Sequence, residues 1–265
     1  MNDNLKIAIE SSLMAGKAIL EIYSSNDFGV EYKSDNSPLT KADKSSHKII
    51  SQKLKSTSIP ILSEEGEELP FKKRKNWGKL WIIDPIDGTK EFIKRSGEFT
   101  VNIALIKNNL PILGVIYAPA IETLYYGDKN GAFKVDNVNF DNFLDRQNYA
   151  LKLPLSSGNK RKSDSEVTVV ASKSHLTEET ESFINDLNEE YNSVEIISKG
   201  SSLKLCMVAE GLADFYPRFA PTKEWDTAAG QAICWAAGKE VIDWKTKKNM
   251  LYNRENILNN WFLVK

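Results

Sequence analysis

A chain of 265 residues, 41% apolar and 10% aromatic, is long enough for one large domain or two modest ones around a real core. Its 35 Lys and Arg against 36 Asp and Glu leave a net charge of -1, which excludes a general attraction to nucleic acid polymers or anionic lipid and makes any recognition of anions local. The two cysteines, Cys206 and Cys234, stand far apart and outside any CxxC spacing; this argues against a disulfide framework and against zinc, and both are expected as buried apolar fillers.

The stretch MNDNLKIAIESSLMAGKAILEIY is broken by charges and lacks a basic start and a continuous apolar run. It reads as neither signal peptide nor membrane span, so the expected location is the cytoplasm, with attachment to the inner face of the cell membrane left open. Leu5, Ala8, Ile9, Ser12, Leu13, Gly16, Ile19, Leu20 and Tyr23 follow helical spacing and predict a long amphipathic first helix. YKSDNSPLTKAD is expected as a loop, closed by Thr40 as N-cap with Asp43 at the third helical position, a capping box that opens a second helix through Ser46, Ile49, Ile50 and Leu54.

Ile59 to Ser63 reads as a short strand running into the acidic cluster Glu64, Glu65, Glu67 and Glu68, and FKKRKNWGK as a solvated connector to a second strand, LWIID, again with acid at its end. From Phe99 the segments FTVNIALI, ILGVIYAP, TLYYG and AFKV, joined by polar turns, predict an antiparallel meander. Residues 135 to 165 are polar and weakly periodic, so a boundary is placed there: an α+β metal-binding domain over 1–150 and an α/β domain over 151–265. In the second part VTVVAS, a helix near 176–190, VEIIS, SSLKLCMVAEG, ADFYP, WDTAAGQAICWAAG and EVIDW alternate strand and helix. The fold class is α/β.

Chemistry is concentrated in WIIDPIDGTKEF, residues 81–92. Two carboxylates at the end of a core strand repel each other and lose hydration unless a cation sits between them. Pro85 fixes one backbone angle and Gly88 permits a turn closed to other residues, so Asp84, the Ile86 carbonyl and Asp87 can face one point, joined by Glu64 from the neighbouring strand end. An all-oxygen set without His or Cys suits magnesium; turn capping is the alternative and stays open. Asp226 in PTKEWDTAAG starts a helix whose Ala228, Ala229 and Gly230 permit close approach, although a first-turn acid also simply suits the helix dipole.

The combination of Ser63-Glu64-Glu65, the DPIDGT run after Trp81 and Trp225-Asp226-Thr-Ala-Ala-Gly, in this order, resembles the lithium-sensitive, magnesium-dependent phosphatase superfamily that contains inositol monophosphatases and bisphosphate nucleotidases. Lys90, Glu91 and Phe92 after DGT, where inositol monophosphatases usually carry Thr-Asn-Phe, and the run from Ser201 to Phe219 are similar to the bacterial 3'(2'),5'-bisphosphate nucleotidases. The resemblance implies a layered αβαβα sandwich and two or three magnesium ions on Glu64, Asp84, the Ile86 carbonyl, Asp87 and Asp226. It further implies that Asp43 and Thr89 orient and deprotonate the attacking water, with Glu65 polarising water behind them. Gly88, Thr89, His175, Ser201, Lys204, Arg218 and Asp226 then lie beside the substrate, with Arg218 gripping the retained phosphate and Lys204 adding a point charge. Residues 37–43 match a mobile segment, and His47 is expected to be solvated.

What this implies is hydrolysis of a small nucleotide, adenosine 3',5'-bisphosphate (PAP), to AMP and phosphate, with its phosphosulfate relative (PAPS, giving APS) as a second substrate, in sulfate assimilation. The assembly is a monomer or homodimer. Two rivals are kept: inositol monophosphate hydrolysis by the same metals, and a catalytically silent nucleotide-binding sensor, which sits poorly with a complete set of Glu64, Asp84, Asp87, Thr89 and Asp226.

Overall fold

The computed structural model describes residues 2–25, 27–155, 165–171 and 177–265. In chain order its elements are α1 (Asp3–Ser24), β1 (Glu31–Tyr32), β2 (Pro38–Leu39), α2 (Lys41–Leu54), β3 (Ile61–Ser63), α3 (Phe71–Arg74), β4 (Lys79–Asp87), α4 (Thr89–Ile93), β5 (Thr100–Lys107), β6 (Leu110–Ala118), β7 (Thr123–Asp128), β8 (Gly131–Val135), α5 (Phe143–Arg146) and β9 (Leu151–Leu153). They continue with β10 (Glu166–Ala171), α6 (Glu178–Glu190), β11 (Ser193–Ser198), α7 (Leu203–Glu210), β12 (Tyr216–Arg218), α8 (Glu224–Ala236), β13 (Val241–Asp243) and β14 (Phe262–Val264).

A seven-stranded sheet, β3 through β9 in sequence order, is the frame. β3 runs parallel to β4 and every later neighbour pairs antiparallel, which is the expected meander. Strand side chains alternate between faces, and here both faces are covered. Trp81 and Ile83 of β4 join the core under α1 and α2, while Leu80 and Ile82 join the core under α7 and α8. Beyond α7 lie the parallel pair β10–β11 and the three-stranded sheet β12–β14–β13, with α6 packed outside them. The result is five layers, αβαβα. The first sheet runs past residue 150, because β9 pairs with β8, and the core of α7 and α8 is shared with strands of the first half.

The approach of α8 to the sheet fixes the site, and small residues allow it. An added Cβ at Gly114 of β6 would lie 2.2 Å from the Ala229 carbonyl oxygen, and one at Gly230 would lie 2.5 Å from Leu205. The small run in α8 is therefore a packing device first. Both cysteines are buried, as expected.

Two elements differ from expectation. FKKRKNWGK contains the helical turn α3, in which Arg74 is buried, donating to Asn253 Oδ1 at 2.9 Å and to the Leu69 and Glu255 carbonyls. Asn253 and Glu255 lie some 180 residues away, out of reach of local sequence reading. The segment expected as a bare loop closes into the β1–β2 hairpin, with Tyr32 opposite Pro38.

Candidate active site

One irregularity of β4 gathers its two acids. In a regular strand Asp84 and Asp87, three residues apart, would point to opposite faces. A bulge intervenes: Asp84 pairs with Asn102 and Asp87 with Thr100, so three steps on β4 match two on β5 and both carboxylates share the α8 face. Pro85 sits inside the bulge, where it owes no ladder donor, and Ser46 of α2 pins it by donating to the Pro85 carbonyl at 2.8 Å. Asp84 Oδ1 accepts the Ile86 N–H at 3.1 Å. Gly88, at φ 92°, then turns the chain into α4.

The capping box of α2 is present, and it leaves half of Asp43 free. Asp43 Oδ2 accepts the Thr40 N–H at 2.8 Å and the Thr40 hydroxyl at 2.5 Å, while Oδ1 accepts the Thr89 hydroxyl at 3.1 Å. Thr89 Oγ1 is also 3.3 Å from the Ile86 carbonyl. Burial raises the Asp43 carboxyl, against the hydrogen bonds from Thr40 and Thr89.

Glu64 follows β3 and is held to β4 by its N–H on the Ile83 carbonyl at 3.2 Å. Lys33 of the β1–β2 hairpin reaches it at 3.0 Å and Glu65 at 2.5 Å. Nothing in the sequence marked this lysine, which stands in a Ser/Asn/Pro loop. Burial opposes its charge, but the two glutamates hold it above the ordinary lysine range. Glu64 and Glu65 are both raised by burial, with Lys33 opposing.

Asp226 is the third residue of α8, and its Oδ2 accepts the Lys223 N–H at 2.7 Å, so it does cap its helix. It also faces the other acids: burial first, then Asp87, push it up to about 8. Asp84 is raised well above the usual carboxylate range by burial and by Glu64, Asp87, Asp226 and Asp43 together. Among the described residues no three His, Cys, Asp or Glu side chains close around one point as a metal cage; internal donors such as Lys33, Ser201 and backbone N–H groups engage their oxygens. The donor set nevertheless fits a hard divalent cation, because these acids offer only oxygen, are buried or half-buried and repel one another.

The second half of the chain brings cations to the same place. A cavity of about 140 Å³ is lined by Asp87, Gly88, Ser201, Lys204, Arg218 and Asp226, together with Glu91, Tyr216, Thr222 and Thr227, to which the sequence reading assigns no site role. Lys204 is buried and donates to the Ser201 carbonyl at 2.6 Å; burial, with Arg218 adding repulsion and Asp87 opposing, lowers it to about 8. Arg218 donates through Nη2 to the Pro221 carbonyl at 3.3 Å, and its buried Nε has no hydrogen-bond partner among the described residues. A second cavity of about 490 Å³ lies on the Glu64 side, bounded by Ser34, Arg74, Lys223 and Trp225. His175 lies outside the described residues. His47 is half-buried, with Nδ1 2.8 Å from the Ser63 hydroxyl and its basicity lowered by burial, so the expectation of a solvated histidine does not hold.

The family model described as the inositol monophosphatase family matches residues 1–263. The chain belongs to the inositol monophosphatase family. Within that family it is 42% identical over 254 residues to the 3'(2'),5'-bisphosphate nucleotidase CysQ of Salmonella typhimurium, covering 94% of each chain. It is 41% identical to the protein of the same name from Escherichia coli strain K12, again over 94% of both. The crystal structure of CysQ from Bacteroides thetaiotaomicron, described as a bacterial member of the inositol monophosphatase family, is 46% identical and superimposes with a TM-score of 0.86 over 99% of this chain and 96% of that one. An inositol monophosphatase of Thermotoga maritima shares the fold at 23% identity and a TM-score of 0.73.

Proposed function

We propose that the protein is a magnesium-dependent 3'(2'),5'-bisphosphate nucleotidase that hydrolyses adenosine 3',5'-bisphosphate to AMP and phosphate, with the phosphosulfate analogue as a second substrate. The observation that carries the reading is that Lys204 and Arg218 line the same cavity as Asp87 and Asp226. A bisphosphate presents one phosphate to be removed and another to be kept, and a cationic wall beside an acidic one suits both demands. The nucleotidase relatives at 41–42% identity support the same choice of substrate.

Glu64, Asp84, the Ile86 carbonyl, Asp87 and Asp226 would hold two or three magnesium ions. Bound there, magnesium supplies an acidified water and neutralises charge on the phosphate. The chain's own part is proton handling and placement. The Thr89 hydroxyl takes a proton from the attacking water as it passes its own to Asp43 Oδ1, 3.1 Å away, within hydrogen-bond reach. The water oxygen bonds to phosphorus, the bond from phosphorus to the ribose 3' oxygen breaks, and that oxygen takes up a proton from solvent water. Glu65, tied to Glu64 through Lys33, would polarise water behind the attacking one.

The deciding experiment is phosphate release with magnesium from adenosine 3',5'-bisphosphate and from inositol 1-phosphate, side by side, with and without lithium. A hundredfold preference for the nucleotide, about 2.7 kcal/mol in transition-state binding, is expected, with inhibition by lithium. The opposite preference would make this an inositol monophosphatase using the same acids. Binding without release from either would leave a nucleotide sensor.

A further inference from the structure

Beneath Asp87 lies a polar knot that no family motif accounted for. Ser201 donates to Asp87 Oδ2 at 2.7 Å. Behind it, Thr100 Oγ1 is 2.6 Å from Ser201 Oγ and 2.7 Å from Ser202 Oγ, and the Asn102 side-chain amide is 3.1 Å from Thr100 and 2.8 Å from Ser202. Thr100, Asn102 and Ser202 are buried. Thr100 and Asn102 are the residues that pair with Asp87 and Asp84 across the bulge.

Counting protons orders the knot. Five short contacts need five protons, and three hydroxyls supply three. Ser201 spends its proton on the carboxylate, so Thr100 must donate to Ser201 and Ser202 must donate to Thr100. The two contacts that remain both end on the Asn102 amide, whose NH₂ carries two protons. Both contacts fall on the amide oxygen as placed; turning the amide so that its nitrogen faces the hydroxyls completes the set and leaves the carbonyl oxygen where the buried nitrogen has no partner. The hydroxyls then form one directed chain, Ser202 to Thr100 to Ser201 to Asp87.

Strain marks the same spot. Ser201 is held at φ 56°, left-handed for a residue that is not glycine. Its turn is clamped by the Gly200 N–H on Glu98 Oε2 at 2.9 Å, and its carbonyl takes the Lys204 ammonium at 2.6 Å. One residue therefore faces the acidic wall with its side chain and the cationic wall with its backbone.

We infer that Thr100 is a positioning residue: through Ser201 it fixes the orientation of the Asp87 carboxylate and ties it to the turn that carries Lys204. The inference rests on the proposed magnesium-dependent phosphatase reading for what Asp87 does. Thr100→Val keeps the side chain's shape and its fitness for a strand while deleting the hydroxyl, and Thr100→Ser keeps the hydroxyl. Magnesium binding is measured by calorimetry without substrate, and kcat and KM with adenosine 3',5'-bisphosphate, with thermal unfolding as the control.

Loss of an outer partner of a ligating group typically costs about 10–100-fold in affinity or activity. Thr100→Val is expected to weaken magnesium binding and lower kcat within that range, with KM changed less, and Thr100→Ser to recover most of both. Magnesium affinity within twofold of wild type in Thr100→Val, or equal damage in Thr100→Ser, would overturn the inference. Failure of the wild type to hydrolyse the nucleotide would sink the substrate reading yet leave the calorimetric comparison decisive. Failure of the wild type to bind magnesium would overturn both.

Discussion

The acidic and the basic walls of the cavity are built in opposite ways. The acids hang on the bulged strand β4, which is covered on both faces, and on two helix starts, Asp43 of α2 and Asp226 of α8. The cations come from a short helix and a three-residue strand, Lys204 and Arg218, and their partners are mostly backbone carbonyls. Charge on the acidic wall is in excess, since Asp84 and Asp226 are both pushed up by burial and by their neighbours. On the basic wall burial instead works to discharge Lys204. The acidic wall is organised to receive a cation from solution, the basic wall to receive an anion.

Breaking the acidic wall should have the larger effect. Asp84→Asn removes a charge from the most buried acid of that wall while keeping its shape, so folding should survive and turnover should not. The expected loss is several kcal/mol of charge stabilisation, on the order of a thousandfold in kcat. Steady-state phosphate release measures it; activity within tenfold of wild type would mean that Asp84 is a structural cap and holds no metal.

Breaking the basic wall should change substrate choice more than chemistry. Arg218→Ala, with Lys204→Ala beside it, should lose about 1.5–3 kcal/mol of nucleotide recognition each, the worth of a hydrogen bond to a charged group. That is about 10–150-fold in kcat/KM, with hydrolysis of inositol 1-phosphate little altered. Equal losses on both substrates would show that these cations serve the reacting phosphate. The Lys204 ammonium, lowered to about 8, adds a pH signature: KM for the nucleotide should rise above that pH in the wild type and stay flat in Lys204→Arg, since Arg keeps its charge.

The join between the walls can be tested through packing. Gly114→Ala would place a methyl 2.2 Å from the Ala229 carbonyl and push α8, with Asp226, off the sheet. Overpacking costs about 1–3 kcal/mol, or about 3–10 °C in Tm for a chain of this size. Calorimetric unfolding with a parallel magnesium titration should show both stability and metal affinity falling; loss of stability alone would uncouple α8 from the site.

The two walls also differed in how far they could be read from sequence. Asp43 was legible because a capping box is a local pattern of four residues, and the DPIDGT turn because proline and glycine announce their own geometry. The meander was legible from period-two alternation and polar turns. Lys33, Arg74 and Thr100 were not, for a common reason: each acts on a partner brought to it by the fold, Glu64 by the hairpin, Asn253 from the far end of the chain, Ser201 across the sheet edge. Lys204 and Arg218 came from family resemblance, and no local spacing pointed to them. His47 was misjudged because a helix face alone does not show that Ser63 lies against it.

The last expected effect separates the walls by stability. The Asp226 carboxyl stands at about 8 in the folded chain against an ordinary value of 3.8, and Asp84, Glu64 and Asp43 are raised with it. Between those limits the folded state binds more protons than the unfolded state, so unfolding free energy falls as pH rises. The stability contributed by these protonated acids is fully present below 3.8 and is lost as pH climbs through about 8. Without divalent cations, Tm should therefore drop as pH rises from 5 to 8, and millimolar magnesium should flatten the slope by replacing the proton as counter-charge. Asp226→Asn should flatten it without magnesium. Lys204→Met should leave it in place, because removing that cation leaves the acids as crowded as before. A slope that survives both magnesium and Asp226→Asn would have to come from groups outside the acidic wall.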